Sequence, residues 1–508
     1  MASDNSGYDF IIVGAGTAGC VLAARLSEDA SARVLLLEAG SRQPLPHAAT
    51  PWLWTTLLGS SMDWADKTTV QEANGFVLPW PRGRGLGGSS AINAMAFTRG
   101  HRSSYDEWVP AGAEGWGFDD LLPFFKRSEQ VEGRDPAVRG VDGPLRPGPA
   151  AGAHPISHAG LAAALEAGYP RARDISGGLD EGFGFCDMSI VDGRRQSAAD
   201  AYLNPVLGRR NLDVVTDAVV YQLIVTGNRC TGVRYRTGTE TRTAECETEV
   251  LLAAGAVGSP VLLMASGIGP QAHLREVGIE VITDLPGVGT NLHDHPTSCV
   301  VYHATQPVPA GNNSPGEVQG LLHAGVDGRP GPDVQIMFVT VPLHSPRLAG
   351  PEFGHGYTIL VSLMAPSSRG SVRLSSAAPG AAPVIDPRFY TDSRDIDTVI
   401  AGLRIAREIG GAPALAPWRG VEALPGVDTR HDEQLRQYVR ESLGAYHHYA
   451  GTCRIGTDET AVVDTELRVR GIDGLRVADA SVMPSPISAN TNATVYAIAE
   501  RAADLINS

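Results

Sequence analysis

The stretch that decides the fold is YDFIIV (8–13), GAGTAG (14–19), CVLAARL (20–26) and, after a polar connection, RVLLLE (33–38). The first run is short, apolar and of strand type, CVLAARL carries helical apolar spacing, and RVLLLE supplies a second strand. Together they form a βαβ unit, with Gly14, Gly16 and Gly19 on the GxGxxG spacing. Gly14 permits the tight turn, Gly16 lets the backbone approach a pyrophosphate, and Gly19 lets helix pack on strand. The helix N-terminus then faces the phosphate charge. Glu38 follows about 20 residues on, at the end of the second strand, where a carboxylate can accept hydrogen bonds from ribose hydroxyls. The glycines alone are a weak signal. With their flanking elements they indicate a dinucleotide site, without separating NAD from FAD.

Working outward, Arg82–Phe97 (RGRGLGGSSAINAMAF) is dense in glycine and serine and can bring several backbone N–H groups against an extended ligand. A linker would look similar, but AINAMAF reads as an embedded apolar helix, which linkers rarely carry. Gly133–Pro155 is rich in Gly, Pro and Arg and reads as a surface excursion or domain crossing. Asn211–Val225 is strand-like and ends at a Gly227-Asn228 turn. Thr248–Ala253, Pro332–Pro342 and Gly356–Met364 are further strands.

At 508 residues the chain exceeds what one hydrophobic core usually covers, so two domains are expected. With 43% apolar and 19% charged residues its balance is that of a globular protein. The formal charge of -15 makes nucleic acid an unlikely partner, because phosphate affinity needs clustered cations. The six cysteines form no CxxC pair, so no metal site and no dense disulfide framework is expected. Phe10–Val13 is broken at once by glycines and follows acidic residues, and no run of about 18 apolar residues occurs. No signal peptide, no membrane span and a cytoplasmic location are therefore expected.

Two polar clusters lie near the C-terminus, YHHYAGTCRIG (446–456) and the segment from Leu475 to Ile506, which runs strand, small-residue turn, SANTN and amphipathic helix. Asn490 or Asn492 could simply cap that helix. Adjacent histidines are more often packing groups than catalysts.

At these motifs the chain resembles the glucose–methanol–choline (GMC) oxidoreductases, over essentially its whole length. Gly83–Phe97 (GRGLGGSSAINAMAF) and Gly255–Gly269 (GAVGSPVLLMASGIG) match the two signature loops of that family, and Pro286–Pro296 (PGVGTNLHDHP), the HxxGTCRIG segment and VADASVMP also fit. The resemblance implies an α/β (α+β overall) fold. A Rossmann-like FAD-binding domain would comprise 1–155, 205–300 and 445–508. A substrate domain, built on an antiparallel sheet flanked by helices, would comprise 156–204 and 301–444.

It also implies FAD, with the pyrophosphate over Gly14–Gly19, backbone donors at Thr17 and Ala18, and the adenosine ribose on Glu38. Val220 would contact adenine through its backbone. Asn93, Ala94 and Ala96 would line the isoalloxazine, Asp479 and Ala480 would approach the ribityl and phosphate, and Ala39, Arg84, Gly88 and Thr494 complete the implied contacts. For catalysis it implies His448 as the proton acceptor and Asn492 as its partner. Histidine titrates nearest neutrality, so it can take the O–H proton while hydride passes to flavin N5, and an amide can donate to the nascent alkoxide.

The departures carry information as well. Some members attach FAD through a histidine where this chain has Ile92, so the flavin is expected to be non-covalent. His447 replaces a tyrosine that encloses ammonium in choline-oxidising relatives, and Tyr449 replaces a proline; choline is not the expected substrate. The leading expectation is oxidation of a primary, small-molecule alcohol to an aldehyde, with oxygen or a quinone as electron acceptor. The alternative is a lyase of the hydroxynitrile type or a light-driven fatty-acid decarboxylase on the same scaffold.

Overall fold

A computed structural model of the chain describes residues 7–508 apart from 327 and 346. Residues 1–6, on which the expectation of no leader partly rests, lie outside that range.

Tyr8–Val13 and Val34–Leu37 pair in parallel, Phe10 opposite Val34, and Leu212–Val215 extends the sheet beyond them. On the other side Tyr8–Val13 pairs with Glu240–Leu252, which in turn pairs with Leu475–Val477. The helix Thr17–Leu26 packs on the final helix, Asn492–Asn507. Near-continuous apolar strands such as VLLL, buried at every position, are what a sheet covered on both faces requires. Glu240–Leu252 is unusually long because it serves two purposes. Its first half pairs with Arg229–Thr237, which pairs with Ala218–Thr226, an antiparallel meander beside the nucleotide sheet.

The second sheet is antiparallel, in the order Arg419–Leu424, Pro296–Ala304, Gly356–Leu363, Val334–Val339, Gly316–Leu322 and Gly182–Phe185. One face packs under Pro155–Glu166 and Ser393–Gly410 in a core of its own. The other face points toward the histidines, with the Tyr446 hydroxyl donating to Gln335 Oε1 at 2.8 Å.

The structure corrects the sequence reading in several places. Ala198–Leu203 lies in the first core, with Tyr202 stacked on Tyr496, so this end of the 156–204 segment packs with the nucleotide sheet. Asn211–Val225 is two strands in different places, split where Asp217 turns with φ 55°. AINAMAF is not a helix: one short 3-10 turn, Gly88–Ala91, gives way to irregular backbone in which Met95 has φ 64°. Gly133–Pro155 is an excursion without a helix up to its last residue, but it is anchored, because buried Arg139 binds Glu129, Asp174 and Asp187. No helix among the described residues is long and apolar enough to cross a membrane.

Candidate active site

A cavity of about 720 Å³ runs from the nucleotide sheet to the histidines. Gly14, Gly16, Thr17, Ala18, Glu38, Ala39, Gly88, Asn93, Ala94, Ala96, Val220, Asp479, Ala480, His448 and Asn492 all border it, as does Ile92.

The walls fit an extended dinucleotide. The helix Thr17–Leu26 opens on Gly16 with no side-chain cap and no acid in its first turn, so its N–H groups and dipole face the cavity unopposed. The two glycine loops cross here: a Cβ on Gly88 would lie 2.6 Å from Gly16 Cα, whereas one on Gly16 would meet nothing closer than 3.9 Å and would fill the cavity instead. Gly19 is away from the cavity, and a Cβ there would lie 1.8 Å from Gly14 O, which is the packing role expected of it. Glu38 accepts from the backbone N–H of Ala15, Gly40 and Gly85 at 2.8, 2.8 and 2.9 Å, tying both loops to one carboxylate. Asp479 accepts from Gly255 N and Ser259 Oγ at 2.8 and 2.6 Å. Buried Arg195 donates to Asn93 Oδ1 at 2.9 Å.

At the other end lies a continuous hydrogen-bonded chain. Thr98 Oγ1 donates to Asn490 Oδ1 at 3.1 Å, which turns the amide so that Nδ2 donates to His448 Nε2, also at 3.1 Å. His448 Nε2 is therefore an acceptor, and the ring proton resides on Nδ1, 2.8 Å from His295 Nδ1. His295 must then accept at Nδ1 and carry its own proton on Nε2. Burial, and then the neighbouring His295 and His447, hold the His448 imidazole well below its ordinary range.

His448 sits where it does because of Asp294. That buried carboxylate accepts from His295 N and His448 N at 2.8 and 2.7 Å and from His447 N at 3.3 Å, and burial pushes its acid up to about 7. The clamp holds His447 at φ 65°, a left-handed conformation that a non-glycine residue adopts only under constraint.

Three residues do not take the places expected of them. Asn492 does not meet His448; it accepts from Thr17 Oγ1 at 2.8 Å and so joins the two helices beside the glycine loop. The asparagine against His448 is Asn490, in the extended stretch before the helix, because the first helical residue is Asn492 and a two-residue step there turns the side chain away. Thr494 is fully buried against Tyr105, Oγ1 to Oη 2.7 Å. Arg84 lies over Trp64 at 5.2 Å, off the cavity wall. Conversely, Asp294, His295 and Thr98 were not singled out; the HDHP run contained the first two, but nothing in its spacing says that it meets residue 448.

A long glycine-cradled cleft on a parallel sheet, ending at a neutral histidine paired with an amide, defines a dinucleotide-dependent oxidoreductase. Both profiles of the GMC oxidoreductases match, the N-terminal one over residues 8–297 and the C-terminal one over 366–499. Human mitochondrial choline dehydrogenase is 39% identical over 98% of this chain and 89% of its own length. The Pseudomonas putida alcohol dehydrogenase (acceptor) is 38% identical over 98% and 95%. The crystal structure of pyridoxine 4-oxidase from Mesorbium loti superposes with a TM-score of 0.95, at 37% identity and 98% coverage of both chains. The chain belongs to the GMC oxidoreductases. It is an FAD-dependent enzyme acting on CH–OH donors, and its substrate is a small-molecule alcohol.

Proposed function

We propose that the enzyme oxidises a primary alcohol to the aldehyde with FAD held non-covalently, His448 accepting the hydroxyl proton and Asn490, in place of Asn492, donating to the developing alkoxide. The observation that carries this is the pairing of His448 Nε2 with Asn490 Nδ2 at 3.1 Å on the cavity wall, one a lone pair and the other a donor. An alcohol oxygen entering between them gives its proton to Nε2 and receives the amide hydrogen bond as its charge grows. The Nδ1–H of His448 stays on His295 Nδ1 throughout, which fixes the ring with its Nε2 lone pair toward the alcohol.

Bound FAD supplies the hydride acceptor, the chemistry no side chain here can perform. Gly14–Ala18, Glu38 and Asp479 would hold its charged and hydroxylated parts, and Asn93–Ala96 with His448 would frame the reacting end. Ile92 is aliphatic and buried, which supports a non-covalent cofactor. The electrons leave to oxygen or a quinone, distinguished by peroxide formation against reduction of an artificial quinone.

The test is anaerobic stopped-flow mixing with alcohols. Bleaching of the flavin band is expected in the native enzyme. It should be lost in His448→Ala with flavin still bound. Near-native reduction in that variant would refute the assignment, and an unbleached native flavin across the panel would favour the lyase or decarboxylase chemistries. Acid precipitation should leave the flavin in the supernatant.

A further inference from the structure

Besides His448, the cavity wall includes Trp54, Trp64, Asp66, Arg82, His447 and Tyr449. The charge of Asp66 and the faces of Trp64 and Tyr449 are already engaged. Asp66 is ion-paired with Arg82, and the guanidinium groups of Arg82 and Arg84 lie over the Trp64 ring at 4.5 and 5.2 Å. Tyr449 is stacked on Trp80 at 3.8 Å. An ammonium entering beside Asp66 would find that carboxylate neutralised and the Trp64 face already serving two cations, which weakens both of the usual attractions for a quaternary nitrogen.

What remains is an N–H donor. His447 Nδ1 lies 2.8 Å from the Tyr449 hydroxyl. A phenol has one proton, and among the described residues no other acceptor lies within reach of this one, so it donates to Nδ1. The neutral imidazole then carries its proton on Nε2, which has no protein partner among the described residues, on a residue that borders the cavity. The ring is fixed from both sides, through its backbone by Asp294 and through Tyr449 by the stack on Trp80.

We propose that His447 is a specificity-determining residue that donates Nε2–H to an acceptor on the substrate, so that the preferred substrate is an uncharged alcohol bearing a ring nitrogen or oxygen acceptor apart from its carbinol, and not a quaternary ammonium alcohol. The inference rests on the alcohol-oxidation reading above. A site built around an unpaired donor discriminates strongly against analogues that leave it unpaired.

The experiment uses matched probes with the holoenzyme at neutral pH: the three pyridylmethanol isomers against benzyl alcohol, and 3,3-dimethylbutan-1-ol against choline. At least one pyridylmethanol should exceed benzyl alcohol in kcat/KM by about tenfold or more, the value of one buried hydrogen bond, and the neutral isostere should exceed choline. In His447→Phe the pyridyl preference should collapse toward one, and in His447→Gln, which keeps an N–H donor, it should largely persist. A native preference for choline over its isostere, or a pyridyl preference absent in the native enzyme or unaltered in His447→Phe, would overturn the proposal. If benzyl alcohol bleaches the flavin while these ratios fail, only this inference falls; if no alcohol bleaches it, the functional reading falls first.

Discussion

Two asparagines two positions apart do different work. Asn490 faces the base and Asn492 faces Thr17 at the glycine loop, so their alanine variants should separate chemistry from cofactor binding. Asn490→Ala should lower the rate of flavin reduction by about 10²–10³, the effect of removing one donor from a developing oxyanion, with flavin content per polypeptide retained. Asn492→Ala should instead lose flavin on gel filtration while holoenzyme turnover changes less. The reverse pattern would restore the expectation drawn from sequence, which placed the partner of His448 at Asn492. His448 adds a pH prediction. Only its unprotonated form can accept a proton, and burial lowers its pKa, so that form persists to lower pH than in an ordinary histidine. The acid limb of kcat/KM should therefore fall below pH 6.5, and His295→Gln, which removes a neighbour that depresses the pKa, should move it upward.

Elements bring these residues together, and they were unevenly legible. The strand, glycine turn and helix of 8–26 were readable because each has a local cause: apolar runs, positive φ at Gly14 (100°) and helical spacing. AINAMAF misled because its small apolar residues are as compatible with a buried irregular loop as with a helix, and only the crossing of Gly88 over Gly16 shows why a regular helix cannot form there. That crossing is testable. Gly88 has φ 51°, so Gly88→Ala adds backbone strain of roughly 1 kcal/mol to a Cβ 2.6 Å from Gly16 Cα. Flavin-depleted or aggregated protein is the expected outcome, read by absorbance ratio and thermal melt. Gly59→Ala, also at positive φ but with nothing within 4 Å of its Cβ, is the control that isolates the crossing from conformational strain. Equal losses in the two variants would remove the argument.

At the scale of the whole molecule, topology was legible where motifs marked it: both chain ends enter one sheet and the antiparallel sheet is inserted between. Contacts between distant segments were not, which is why the junction of residues 291–295 with 446–451 had no reading in sequence; it is made by backbone bonds such as His293 N to Ala450 O at 3.1 Å. This junction buries His293, His295 and His448 in neutral form, all with lowered pKa values, His295 to about 3. The unfolded chain takes up these protons near pH 6.5 and the folded chain does not, so stability should fall as pH drops below 6.5. Asp294, raised to about 7, acts in the opposite sense, as do the buried carboxyls of Glu38, Asp187 and Asp479 outside the junction, but within the junction it stands against four histidines, since His447 is lowered too, to about 4. Urea midpoints at pH 7 and pH 5 check the sign, the lower being expected at pH 5.

FAD removal tests the assembly as a whole. The cavity draws its walls from Gly14–Ala18, Glu38, Gly88, Val220, His448 and Asn492, segments that are far apart in the chain, and on its wall Thr17 is tied to Asn492 at 2.8 Å. A ligand filling such a cleft binds the folded chain and has nothing comparable to bind in the unfolded one, since no single segment carries the site. At a free concentration a thousand times its Kd it should add about 4 kcal/mol. Stripping the flavin should therefore lower Tm, and adding FAD back should raise it with a logarithmic dependence on concentration, while adenosine diphosphate, which reaches only the Glu38 and Gly14–Ala18 end, should restore part of the shift. An apoprotein that melts at the holoenzyme temperature would mean that the two cores are already locked without the cofactor. The bonds of Arg25 and Tyr202 to buried Glu500, each at 2.8 Å, lie away from the cavity wall, so Glu500→Gln should lower the Tm of apoprotein and holoenzyme alike.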